Sequence, residues 1–101
     1  MRSFLLAGVL VAAASTSSWA NCLTLDNNTF HNSCSADLIF NFKTIGGGCH
    51  TRTRGGETIG AHGKRTTSAN HACGGTTPKQ VEWNYCIYND WVSGSCHLPK
   101  D

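Results

Sequence analysis

Two stretches of the chain alternate apolar and polar positions with a period of two. In Cys34 to Lys43, Ala36, Leu38, Phe40 and Phe42 alternate with Asp37, Asn41 and Lys43. In Lys79 to Tyr88, Val81, Trp83, Tyr85 and Ile87 share one face, and Glu82, Asn84, Cys86 and Tyr88 the other. Successive side chains of a strand point to opposite sides, so both stretches predict strands with one buried face. Ile39 is the apolar exception on the outer face of the first. Phe40, Phe42, Trp83 and Tyr85 are expected at the centre of the core.

Weaker signals surround these two. Asn21 to Leu25 predicts a short strand, with Leu23 and Leu25 on one side, and Asp26 to Thr29 has turn chemistry. Gly46-Gly47-Gly48 is loop, because glycine loses the most backbone freedom inside an element. Cys49 to Arg54 alternates again and predicts a strand ending at Gly55-Gly56, and Glu57 to Ile59 predicts another. Residues 60–79, rich in Gly, Thr, Ser and Asn, read as a long irregular connection pinned by Cys73. Asn89-Asp90 predicts a turn. No segment carries a helical period over ten or more residues. The expected fold is mostly β: a small disulfide-stapled antiparallel sheet or compact β-sandwich of roughly four to six strands.

The N-terminus changes where this domain is expected to work. Arg2, the apolar run Phe4 to Ala14 and the small residues around Ala20 have the three parts of a secretory signal cut after Ala20. The run is too short for a membrane span, which needs about 20 residues, and no later run is longer. The expected organisation is a signal peptide over 1–20 and one disulfide-rich β domain over 21–101, secreted or periplasmic, with no stable membrane insertion.

All six cysteines fall in that domain: Cys22, Cys34, Cys49, Cys73, Cys86 and Cys96. An even count in a short exported chain predicts a disulfide framework. Six cysteines allow 15 pairings, of which the sequential one, 22–34, 49–73 and 86–96, is one candidate. Zinc is the rival use. Structural zinc ligands come as C-x2-4-C or H-x3-5-H pairs, and no two cysteines here are that close. No cofactor or metal is expected.

Charge is divided along the chain. Between Lys43 and Arg65 stand Lys43, Arg52, Arg54, Lys64 and Arg65 against one acid, Glu57, while the net charge of the whole chain is +2. Alternation in the expected 49–54 strand puts His50, Arg52 and Arg54 on one face, with Lys64 and Arg65 close behind. A concentrated cationic face attracts acidic partners, although charge on an edge strand also guards against aggregation. Tyr88 and Trp91 are further ligand-binding candidates. They belong to the segment Trp83 to Trp91, in which aromatic rings alternate with Asn and Asp, the residue types that bind sugars or anchor protein interfaces.

Catalytic motifs are missing. The chain has no G-x-S-x-G, no H-E-x-x-H and no P-loop. The expected function is therefore a non-enzymatic binding module, an inhibitor or host-directed factor among the options, using the basic strand face against an acidic protein or anionic glycan. Nucleic acid is the weaker candidate partner. The alternative is a small secreted hydrolase of ribonuclease type, with Glu57 and His62 or His71 for proton transfer and Arg52 and Arg54 for the phosphate.

Overall fold

The computed structural model describes residues 22–100, so the expected signal peptide lies outside the described residues. The fold is mostly β. Its elements are β1 (Leu23–Asp26), β2 (Thr29–Asn32), β3 (Leu38–Ile45), β4 (Gly55–Ile59), β5 (Lys64–Thr66), β6 (Gln80–Ile87) and a short helix α1 (Tyr88–Ser93). They form two three-stranded sheets, ordered β1-β2-β5 and β4-β3-β6, and every pairing is antiparallel.

The strongest alternating segments pair with each other. β3 and β6 run in register from Leu38↔Ile87 to Ile45↔Gln80. Leu38, Phe40, Phe42 and Thr44 are buried on the inner face of β3. Phe30 of β2 faces them, its ring 4.5 Å from Phe40, 5.4 Å from Phe42 and 5.8 Å from Trp83. The core is thus the contact between two sheets, and the fold is a small sandwich. Trp83 and Tyr85 are half-buried and pack against this core rather than forming its centre, which belongs to Phe30, Phe40 and Phe42. The Tyr85 hydroxyl also reaches the other sheet, where it accepts from the Cys22 N–H at 3.4 Å.

Three disulfides staple the frame in sequential order: Cys22–Cys34, Cys49–Cys73 and Cys86–Cys96. The first joins the start of β1 to the chain leaving β2. The third holds residues 94–100 near the outer face of β3 and β6, where Asn41 Nδ2 donates to the Pro99 carbonyl at 2.7 Å.

Four local readings are corrected. Cys49 to Arg54 is a bent loop and not a strand. β4 takes the free edge of β3 from Phe42↔Gly55 onward, and the preceding residues are held elsewhere. Thr44 donates its N–H to the His50 carbonyl (3.0 Å), Gly48 donates to the Thr76 carbonyl (3.2 Å), and Cys49 is bridged to Cys73. Gly47 makes this path possible. It has φ of 144°, and a Cβ there would stand 2.4 Å from the Thr77 carbonyl oxygen. Second, Thr29–Asn32 is a strand, paired to β1 through the tight Asn27-Asn28 turn, in which Asn27 has φ of 54°. Third, the 60–79 connection contains β5. Fourth, the Asn89-Asp90 turn is the middle of α1, which ends at Gly94 in the left-handed conformation (φ 84°).

One buried polar residue organises the loops at the α1 end of the sandwich. Asn32, 3% exposed, donates from Nδ2 to the carbonyls of Ala36 (2.8 Å) and Gly60 (3.0 Å). Its Oδ1 accepts from the Cys34 N–H at 3.0 Å. The amide thereby serves three backbone groups at once, the Gly60 carbonyl also accepting from the Gly63 N–H at 2.9 Å. Asn32→Ala is expected to destabilise the domain by roughly 2–3 kcal/mol, the cost of leaving buried polar groups unpaired. Chemical denaturation checks this, and a loss below about 1 kcal/mol would mean water replaces the amide.

Candidate functional site

The expected basic face is not assembled. Its members divide among four positions, and two of them hold the fold together.

Arg65 stands directly opposite Phe30 in the β2–β5 register, so its side chain leaves the inner face of the first sheet. It crosses to the second sheet, where Nε and Nη2 donate to the Thr58 carbonyl of β4 at 3.1 and 3.0 Å. The guanidinium latches the open edge of the sandwich. Lys64 points to the opposite, outer face, in the cross-strand row Thr24–His31–Lys64. Arg52 is exposed on the 49–54 loop, and Arg54 on the same loop is half-buried.

His50 is drawn inward. Its ring packs edge-on against Phe42 at 4.7 Å. Nδ1 lies 3.2 Å from the Thr53 carbonyl and Nε2 lies 2.7 Å from Ser68 Oγ. Gly55 makes room for this, since a Cβ there would fall 2.4 Å from Phe42 Cζ and 3.1 Å from His50 Cε1. His50, Ser68, Phe42, Glu57, Gly55, Gly56, Thr66 and Thr67 line a cleft of about 210 Å³ between β4 and residues 66–68. Sequence reasoning missed this grouping. Ser68 lies 18 residues from His50 in a Thr/Ser-rich stretch, and no motif spacing marks the pair. The cleft places Glu57 with His50, whereas the expected partners His62 and His71 are not among the residues lining it.

Tyr88 and Trp91 form a separate surface. Their rings are 6.0 Å apart, with 37% and 41% of each residue exposed. Val92 beside them is 61% exposed, and α1 has no buried residue. The helix is anchored by its backbone: the Tyr88 N–H donates to the Asp37 carbonyl at 2.9 Å, and Cys96, two residues beyond Gly94, is bridged to Cys86. Two shallow clefts meet here. One of about 280 Å³ is lined by Asp37, Thr58, Ile59, Gly60 and Tyr88. The other, about 340 Å³, is lined by Ser35, Ala36, Asp37, Ile87, Tyr88 and Asn89. Asp37 and Tyr88 belong to both. The Asn32 bonds shape this region, because they fix Gly60, which lines the first cleft, and Ala36, which lines the second. Asp37 Oδ1 adds a bond from the Ala61 N–H at 3.0 Å.

The two clefts at the aromatic corner share no lining residue with the His50 cleft. The charged residues in α1 and lining these two clefts are acidic, Asp90 and Asp37, while Arg65 is bonded to the carbonyl of Thr58, which lines one of them. Among the described residues no group of three His, Cys, Asp or Glu side chains is placed to hold a metal ion, and all six cysteines are in disulfides. No helix among these residues is long and apolar enough to cross a membrane. Set against protein-family models, curated proteins and solved structures, the chain matches none.

Proposed function

We propose that this chain is an exported binding module that takes a neutral glycan at the corner formed by Tyr88, Trp91 and the two clefts around Asp37. The observation that carries the reading is the placement of Tyr88 and Trp91. Both residues are exposed at the surface, on a helix that contributes no buried residue to the fold. Large aromatics on so small a surface, beside concave polar ground, are the features of a ligand site. A ring face packs against the C–H face of a sugar. The Asp37 carboxylate, the Ser35 and Thr58 hydroxyls and the Asn89 amide supply hydrogen-bonding groups around it.

The framework suits that role. Three disulfides hold in an oxidising compartment, and a stapled scaffold loses little conformational freedom on binding. The expected acidic partner is the competing reading. It now rests chiefly on the exposed Arg52 and Lys64, because Arg65 and His50 are bonded within the fold and Arg54 is half-buried.

Titration of the oxidised domain with neutral and anionic oligosaccharides, followed by tryptophan fluorescence and amide chemical shifts, tests the proposal. Binding of a neutral sugar is expected to fall at least about tenfold in Trp91→Ala, the loss of a ring anchor worth roughly 1.4 kcal/mol or more. The substitution is expected to leave stability within about 0.5 kcal/mol, as for an exposed side chain. Neutral-sugar binding that survives Trp91→Ala and Tyr88→Ala together sinks the corner as the site. Salt-sensitive binding of anions alone, lost in Arg52→Glu/Lys64→Glu, would move recognition to the basic residues.

A further inference from the structure

The His50–Ser68 pair carries an inference independent of the aromatic corner. A backbone carbonyl can only accept a hydrogen bond. The contact of His50 Nδ1 with the Thr53 carbonyl at 3.2 Å therefore places the proton of the neutral ring on Nδ1. Nε2 is then the bare acceptor, and the hydrogen in its 2.7 Å contact with Ser68 Oγ comes from the serine. This is the tautomer and the direction of donation that a base-activated nucleophile requires: a hydroxyl bonded to a base, and the base oriented by a third group.

The surroundings allow a reagent to reach it. Ser68 and His50 both line the cleft of about 210 Å³, whose wall at Gly55 and Gly56 carries no side chains. The Phe42 ring provides an apolar side, and Glu57 adds negative charge at the rim. The neighbouring hydroxyl of Thr67 is already committed, donating to the Asn28 carbonyl at 3.0 Å and accepting from the Ala69 N–H at 3.1 Å. Ser68 is thus the hydroxyl held against a base in this cleft.

We propose that Ser68 is a nucleophile activated by His50, and that the cleft takes small acyl esters by acyl transfer to Ser68. Ser68 Oγ attacks the ester carbonyl carbon while its proton passes to His50 Nε2. The bond from the carbonyl carbon to the leaving oxygen breaks, and that oxygen takes the proton from Nε2 and departs as the alcohol. Water then adds to the acyl-serine and gives a proton to Nε2. The acid leaves as Ser68 Oγ recovers that proton. Thr53 orients the ring with a neutral carbonyl rather than a carboxylate, so the imidazolium formed midway gains less stabilisation than in a triad. Slow turnover follows.

The test is covalent labelling of the oxidised domain with an alkyl fluorophosphonate. Its P–F bond breaks as the P–O bond to serine forms, releasing fluoride and the serine proton. Peptide mapping by mass is expected to place the label on Ser68. Ser93 and Ser95, whose hydroxyls bond each other at 2.8 Å, serve as internal controls. His50→Gln is expected to slow labelling by roughly 100-fold, the usual contribution of a positioned base. Brief exposure to an activated acetate ester is expected to add one acetyl group at the same residue. A label spread over several serines, or no label on Ser68 in the wild-type domain, overturns the proposal and leaves the pair as a clamp for the 49–54 loop. That comparison needs no variant, so it stands even if His50→Gln does not fold.

Discussion

Phe30→Ala is expected to cost roughly 3–5 kcal/mol, the range for removing a fully buried aromatic ring, and to leave the domain without a cooperative unfolding transition at ambient temperature. A domain of this size has about that much stability in its core altogether. Phe30 contacts Phe40, Phe42 and Trp83 across the gap between the sheets. The residues that would have to fill its place sit in strands tied by their own ladders. β2 pairs on both sides, with β1 and β5. The sheets cannot close over the hole without breaking those pairings, so the cavity term is paid in full. Phe30→Leu keeps most of the volume and is expected to lose only about 1 kcal/mol. Urea titration of both variants, with Trp83 emission read in a Trp91→Phe background, separates the cases. A Phe30→Ala loss near that of Phe30→Leu would show that the inter-sheet contact is not the core of this fold.

That residue is also where the alternation of apolar positions says least. β3 and β6 are legible because β3 buries and β6 half-buries one face over eight residues, so the period repeats often enough to be read. In β2, Thr-Phe-His-Asn contains a single large apolar side chain. Its strand character comes from the Asn27-Asn28 turn, which brings it beside β1, and from backbone pairing that leaves no trace in composition. β5 is weaker still, three exposed residues, Lys-Arg-Thr, held by their ladder to β2, the hydroxyl contact of Thr66 with Thr29 and the Arg65 latch. α1 has six residues, fewer than two turns, and no side-chain N-cap bond, so neither period nor cap could announce it.

The 49–54 segment is the instructive error. Its alternation, His50, Arg52 and Arg54 against Cys49, Thr51 and Thr53, has the period of a strand. A strand also needs a neighbour, and the edge of β3 was already occupied by β4 from Gly55. Tertiary pairing overrode the local pattern, and residues that alternation would align on one face went to different uses. Tyr88 and Trp91 were legible as surface candidates because Tyr88 ends the expected strand on its polar face and Asn89 and Asp90 separate Trp91 from it. The Ser68 partner of His50 was not, since the contact depends on the disulfide and the glycines that fold the loop back. The sequential disulfide pairing was one of several the cysteine count allowed, and the geometry of three separate loop closures selects it.

That dependence makes the Cys49–Cys73 bridge the second position of large effect. It spans 24 residues, the widest separation of the three, and encloses β4 and β5. Those strands belong to different sheets, so the bridge closes the segment in which the chain crosses the sandwich. Chain-entropy arguments give roughly 3–4 kcal/mol for a loop of this length. The paired variant Cys49→Ser/Cys73→Ser is expected to lose about that much, and its 46–54 and 67–79 segments are expected to exchange amide hydrogen faster than β3 and β6. The bridge is also the most open to solvent, since Cys73 is exposed whereas Cys22 and Cys86 are buried at 0% and 1%. Mild reduction of the wild-type domain, trapped by alkylation and mapped by mass, is therefore expected to open Cys49–Cys73 before the other two. The same treatment is expected to abolish selective labelling at Ser68, because the loop carrying His50 is released, while sugar binding at Tyr88 and Trp91 persists through the intact Cys86–Cys96 bridge. A stability loss below about 1 kcal/mol in the serine pair would mean that the Arg65 latch and the contacts of Thr44 with His50 hold the crossing without the disulfide. Reduction of Cys86–Cys96 first would mean that the tail over the outer face opens more readily than the loop.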